Sequence, residues 1–178
     1  MNLSELHKEV LDMIPSIQMD HLIATHLEDI SQGSLRDITG GEAEYYKYLH
    51  CLMLKLKPSQ VVELGGAMGT SALMMLSGME STSELYSSTL AEGRLEFSFI
   101  KKDYPNFHPM IGDDLNLGNW PAELDLGKTD VMFIDTLHTK SQLQAEVDLY
   151  FPLLPEGCLV LFDDLYMDGL MEVWKELP

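Results

Sequence analysis

The chain is expected to fold as a doubly wound parallel α/β sheet, and three observations predict it. Short apolar runs alternate with stretches of helical periodicity, giving five strands that alternate with helices over residues 58–178. The first run, Val61, Val62 and Leu64, breaks into a turn containing Gly65, Gly66 and Gly69 and resumes with helix formers, the pattern of strand, loop and helix. Right-handed crossovers then make the sheet parallel, with strand order 3-2-1-4-5 and ligands bound beyond the carboxyl ends of the strands.

The 178 residues predict a single domain, with an N-terminal helical part over 1–57 and an α/β core over 58–178. Hydrophobic residues at 46% and charged residues at 22% are ordinary for a globular protein, so disorder is not expected. Eleven Lys and Arg against 29 Asp and Glu give a net charge of −18, which disfavours nucleic acid and anionic membrane and leaves a small-molecule partner. The opening MNLSELHKEV has neither a basic nor an apolar leader region, and no run reaches membrane length, so a cytoplasmic protein is expected. Cys51 and Cys158 lie in apolar surroundings without metal-binding spacing and read as buried, inert thiols. Met74, Met75 and Met79, just behind the glycine turn, read as core filler.

In chain order, Asn2 with Glu5 three residues on is a capping pattern, followed by Leu6, Val10 and Met13 at helical spacing. Pro15 interrupts that helix, and Ile17, His21, Ile23 and Leu27 suggest a second one before the loop 31–41. His21 and His26, five apart, do not stack on one helix face as metal ligands would. Residues 42–56 carry Tyr45, Leu49, Leu52 and Leu56 on one face and lead through Pro58 into strand one. Thr70 opens the crossover helix, which Gly78 closes. Strand two is expected over 85–90, a helix over 94–102, strand three over 108–111 and strand four over 131–135. A helix over 140–153 and strand five over 158–162 follow, parted by the turn Pro155, Glu156, Gly157.

Under this topology the polar residues at the strand ends face one crevice. The glycine turn lacks the spacing of a dinucleotide site, since Ala67 and Thr70 occupy two of the glycine positions. Glu63, two residues before Gly65, would repel phosphate but suits a ligand carrying positive charge. After strand two come Thr89 and Glu92, after strand three Gly112, Asp113 and Asp114, after strand four Asp135 and His138, and after strand five Asp163 and Asp164. Asp135, Asp163 and Asp164 would meet as like charges, a cost that a divalent cation removes, and oxygen donors suit magnesium or another hard cation. The competing reading is that Asp163 and Asp164 only cap the turn before the last helix.

The glycine turn with its preceding acid resembles the first motif of class I S-adenosylmethionine-dependent methyltransferases, which have a Rossmann-like fold. The segments TDVMFIDTLHTKSQLQAEVDLYFPLLPEG and CLVLFDDL are similar to the metal-dependent macrolide sugar O-methyltransferases and the related cephalosporin hydroxylase-like group, over roughly residues 40–170. In that pattern an Asp ends strand four, a His follows three residues later and an Asp-Asp pair ends strand five, matched here by Asp135, His138, Asp163 and Asp164. The resemblance implies S-adenosylmethionine bound along Glu63, Gly65, Gly66, Ala67, Gly69, Thr70 and Ser71, with Thr89 or Glu92 near the ribose, Asp113 near the adenine, and Asp135 at the same site. It further implies Mg2+ or another divalent cation held by Asp135, Asp163 and Asp164, with His138 as general base toward a hydroxyl of a sugar or natural product.

Two features depart from that family. Strand two ends in Ser87, Ser88 and Thr89 without its usual acid, and the chain after strand five has no room for the last two strands of the full fold. The alternative is therefore a degenerate, non-catalytic Rossmann-like module for binding or assembly, and a hydroxylase-like relative shares the same metal set. The apolar edge CLVLF predicts cover by the C-terminal segment or by a second subunit, with a homodimer expected.

Overall fold

The computed structural model describes residues 2–17, 43–90 and 96–177. Helix α1, Leu3–Met13, begins at Asn2, whose side chain accepts from the N–H groups of Ser4 and Glu5 at 3.1 and 3.4 Å. It buries Leu6 and Val10, and Pro15 sits in the 3-10 turn Ile14–Ser16 that follows. The predicted second helix with His21 and His26, the loop 31–41 and Glu92 lie outside the described residues.

Helix α2, Ala43–Leu56, buries Leu49, Cys51, Leu52 and Met53. Helix α3, Thr70–Gly78, is apolar on every side, and Leu73, Met74 and Met75 are wholly buried, as their core-filling role requires. The His50 ring and the Ser77 hydroxyl are hydrogen-bonded at 2.7 Å, tying α2 to α3. With α4, Glu96–Asp103, these helices form one unit.

The second unit is the sheet with its two C-terminal helices. Strands β1 (Gln60–Leu64), β2 (Glu84–Thr89), β3 (Phe107–Ile111), β4 (Val131–Ile134) and β5 (Leu159–Phe162) are all parallel in the order β3-β2-β1-β4-β5, the order read from the sequence. Helix α5, Lys140–Tyr150, ends three residues earlier than its periodicity suggests, because Pro152 has no N–H to continue the ladder and 151–153 tighten to 3-10. Helix α6 is Leu170–Glu176. Val62, Leu64, Met132 and Ile134 from the sheet, Leu143, Val147 and Tyr150 from α5, and Leu170 and Val173 from α6 make one core.

β5 pairs only with β4, so among the described residues it is an edge. Its Val160 and Phe162 pack against that core, and Trp174 of α6 meets Phe162 edge-on with centroids 5.5 Å apart. The C-terminal helix thus covers a face of β5, while its hydrogen-bonding edge is not paired among the described residues. Among the described residues no strand follows β5, and no helix is long and apolar enough to cross a membrane. Cys158 precedes β5 rather than opening it and is half-buried rather than buried, its thiol pushed up to about 11 by burial and the Asp130 carboxylate.

Candidate active site

β4 and β5 each hand the chain to the following loop by one more ladder-like hydrogen bond. Asp135 N–H donates to the Leu64 carbonyl at 2.9 Å and Asp163 N–H to that of Ile134 at 3.0 Å. These bonds fix where the two carboxylates leave the sheet.

The glycine turn is built from the same side. Gly65 has φ +92, and a Cβ there would lie 1.8 Å from the carbonyl oxygen of Asp135. A Cβ on Gly66 would lie 2.1 Å from Ser87 Oγ. These two glycines make room for the chain's own atoms. The N–H groups of Gly65 and Gly66 both donate to the Ser88 carbonyl, at 3.2 and 2.7 Å. Glu63 is wholly buried, and its carboxylate accepts from the Ser87 hydroxyl. The strand-two serines, read from the sequence only as a missing acid, thus hold the acid of β1 and close the turn.

Ala67 is exposed with φ 39; Gly69, φ 83, is the N-cap of α3, and Thr70 and Ser71 are buried in its first turn. Thr89 is 6% exposed at the end of β2, its carbonyl accepting from Gly112 N–H at 2.9 Å. Asp113 is exposed, and its side chain accepts from Leu115 N–H at 3.0 Å.

Beyond β4 and β5, side-chain atoms of Asp135, His138 and Asp163 lie within 4.8 Å of one another. His138 Nε2 is 3.1 Å from Asp135 Oδ1 and 3.8 Å from Asp164 Oδ2. Asp164 has φ 50 and so turns beside the imidazole, while His138, read from the sequence as a base, joins the two carboxylates as a donor of ligand type. Burial and the neighbouring carboxylates of Asp135 and Asp164 push Asp163 up to about 6. Asp135 is raised by burial and opposed by its bond from His138.

Sequence reading missed a second polar group beside this one. Gln142, Glu146 and Tyr150 recur every fourth residue on α5, one stripe of a helix. Glu146 is wholly buried, and its Oε1 accepts from Thr136 Oγ1 at 2.6 Å and Gln142 Nε2 at 2.7 Å. Burial pushes its carboxyl up to about 7. Tyr150 donates to the Asp114 carbonyl at 2.5 Å and accepts from Trp120 Nε1 at 2.8 Å. The signal was present as polar residues at i, i+4 and i+8 beside Leu143 and Val147, which the same helix buries.

No curated protein matches this chain. Solved structures do. The O-methyltransferase from Bacillus cereus, in complex with SAH, is 16% identical at a TM-score of 0.68, with 97% of this chain and 78% of that one aligned. The O-methyltransferase TomG from Streptomyces achromogenes, involved in tomaymycin synthesis and in complex with SAM, is 14% identical at 0.65, covering 99% and 78%. The SAH-bound Podospora anserina methyltransferase PaMTH1 is 17% identical at 0.64, covering 94% and 73%. At these identities the likeness is one of fold, the class I methyltransferase fold. The model of a family described as "Methyltransferase domain" matches residues 62–165, more than half of the chain and all five strand ends but the first residues of β1, and the chain belongs to that family.

Proposed function

We propose that the protein transfers a methyl group from S-adenosylmethionine to a hydroxyl oxygen of a small-molecule acceptor such as a sugar or natural product. The observation that carries this reading is the meeting of Asp135, His138 and Asp163 beyond β4 and β5 in a methyltransferase domain. The turn Gly65, Gly66, Ala67 and the helix start Gly69, Thr70, Ser71 would receive the cofactor, with Glu63 bracing the turn from below. Thr89 or Glu92 would meet the ribose and Asp113 the adenine. Asp135, partly exposed, would face the sulfonium, whose positive charge relieves a carboxylate that burial disfavours.

The donor set fits a divalent cation. Two carboxylates and an imidazole converge, and Asp163 is raised by its acidic neighbours, a cost that bound positive charge would remove. Asp135 and Asp163 would hold it, with Asp164 beside them; bound there it would lower the pKa of the acceptor hydroxyl. The residues' own part is proton transfer and orientation. Because Asp135 Oδ1 accepts the hydrogen bond, His138 Nε2 carries the proton and Nδ1 is left to take one from the acceptor hydroxyl. Asp164 Oδ2 lies 3.8 Å from the same Nε2, a second carboxylate beside the imidazole.

Calorimetric titration with S-adenosylmethionine, with and without magnesium, tests the reading. Binding is expected, magnesium should raise the melting temperature by mass action, and Asp163→Asn should abolish that rise. His138→Ala should keep cofactor affinity while lowering turnover about a hundredfold or more. Failure to bind the cofactor would favour the second reading, a non-catalytic module, whose support is the Ser-Ser-Thr end of β2 and the sheet ending at β5 among the described residues.

A further inference from the structure

We propose that Glu146 is a positioning residue that holds the loop after β3 and the loop after β4 in register, so that the proposed cofactor contact Asp113 and the proposed catalytic pair Asp135 and His138 keep one geometry. The inference rests on the reading above for the roles of those three residues, but the linkage itself stands on geometry. Thr136, which donates to Glu146 Oε1 at 2.6 Å, lies between Asp135 and His138 in the chain. Gln142, which donates to the same oxygen at 2.7 Å, also reaches Asp114 Oδ1 at 3.4 Å, and Asp114 follows Asp113. One oxygen of a wholly buried side chain therefore ties both loops to α5, and Tyr150, one turn on, grips the Asp114 carbonyl as well.

The other oxygen, Oε2, is buried without a hydrogen-bond partner among the described residues. An ionised carboxylate would leave a buried charge there, facing Asp114, whereas a neutral acid confines its unpaired group to one O–H. The raised pKa of Glu146, about 7, accords with the neutral form acting as a double acceptor at Oε1. Glutamine reproduces that acceptor and its shape without a charge. Leucine removes it and strands both donors.

The test uses the full chain, titrated with S-adenosylhomocysteine and followed by amide hydrogen exchange at residues 112–119 and 135–139. Glu146→Gln should bind within about threefold of wild type and exchange like it, while Glu146→Leu should bind at least about tenfold more weakly and exchange faster in both loops, the scale of two lost buried hydrogen bonds. That rescue by the conservative variant is what a role in bulk stability alone does not produce. Thr136→Val, cutting one arm, should quicken exchange only at 135–139, and Gln142→Met only at 112–119. A folded Glu146→Leu that binds like wild type, or a Glu146→Gln as weak as Glu146→Leu, overturns the proposal. If Glu146→Leu does not fold, unchanged exchange in both single-arm variants overturns it in the same way. Wild type that fails to bind S-adenosylhomocysteine removes the cofactor reading and this inference with it, whereas wild-type binding with indifferent variants removes this inference alone.

Discussion

The carboxyl groups of Asp114, Asp135 and Asp163, after β3, β4 and β5, and of Glu146 on α5 are displaced in one direction. All are raised, each first by burial. A group raised in the folded state favours the fold when protonated. Its contribution is complete below the ordinary carboxyl range and is lost as pH rises through the folded value, about 6 for Asp163 and about 7 for Glu146. The melting temperature should therefore decline between roughly pH 5 and 8, with Asp163→Asn flattening the lower half and Glu146→Gln the upper half. Thermal melts of the three proteins across that range check this, and parallel curves would refute it. Asp135, Asp163 and His138 were legible as residues because acids and an imidazole at predicted strand ends stand out. That Asp164 turns aside toward His138 was not legible, because it depends on a left-handed φ at one residue.

At the scale of elements, α6 packs on a face of β5, whereas the sequence posed a cover for its edge. Val173 is 1% exposed in the core that includes Val160 and Phe162, while Trp174 is 44% exposed and lies edge-on to Phe162. Val173→Ala should thus cost about 2 kcal/mol in denaturant unfolding, and Trp174→Ala distinctly less than burying the whole ring would imply. Equal losses would mean that the exposed ring carries as much of the docking as the buried methyls. Strand boundaries were read to within a residue or two. The α5 end was overrun because apolar periodicity continues through Phe151 and Leu153 past the proline that stops the ladder.

For the whole molecule, 29 acidic against 11 basic residues make self-repulsion a standing cost of compaction. The ion pairs Lys8–Asp12, Lys57–Glu80 and Lys128–Asp125 are exposed and offset little of it. Sodium chloride raised from about 20 to about 500 mM should therefore raise the melting temperature, since screening weakens repulsion over most of the surface. A fall over that range in a calorimetric scan would show that paired charges outweigh the net repulsion. Magnesium at millimolar concentration adds so little ionic strength that a larger rise from it reports binding rather than screening.

By itself the sequence determined the alternation of strands and helices, the strand order 3-2-1-4-5 and the kinship with methyltransferases. The first two depend on hydrophobic period, turn residues and chain handedness, which are local or topological, and the third on the resemblance of its motifs. Tertiary structure alone decided that Gly65 and Gly66 yield space to Asp135 and Ser87, and that Ser87 serves Glu63. It also decided that Glu146 joins Thr136 to Gln142. Each of these is a contact between atoms distant along the chain or on different elements, and a few tenths of an ångström in where two elements end decides whether a polar group finds a partner.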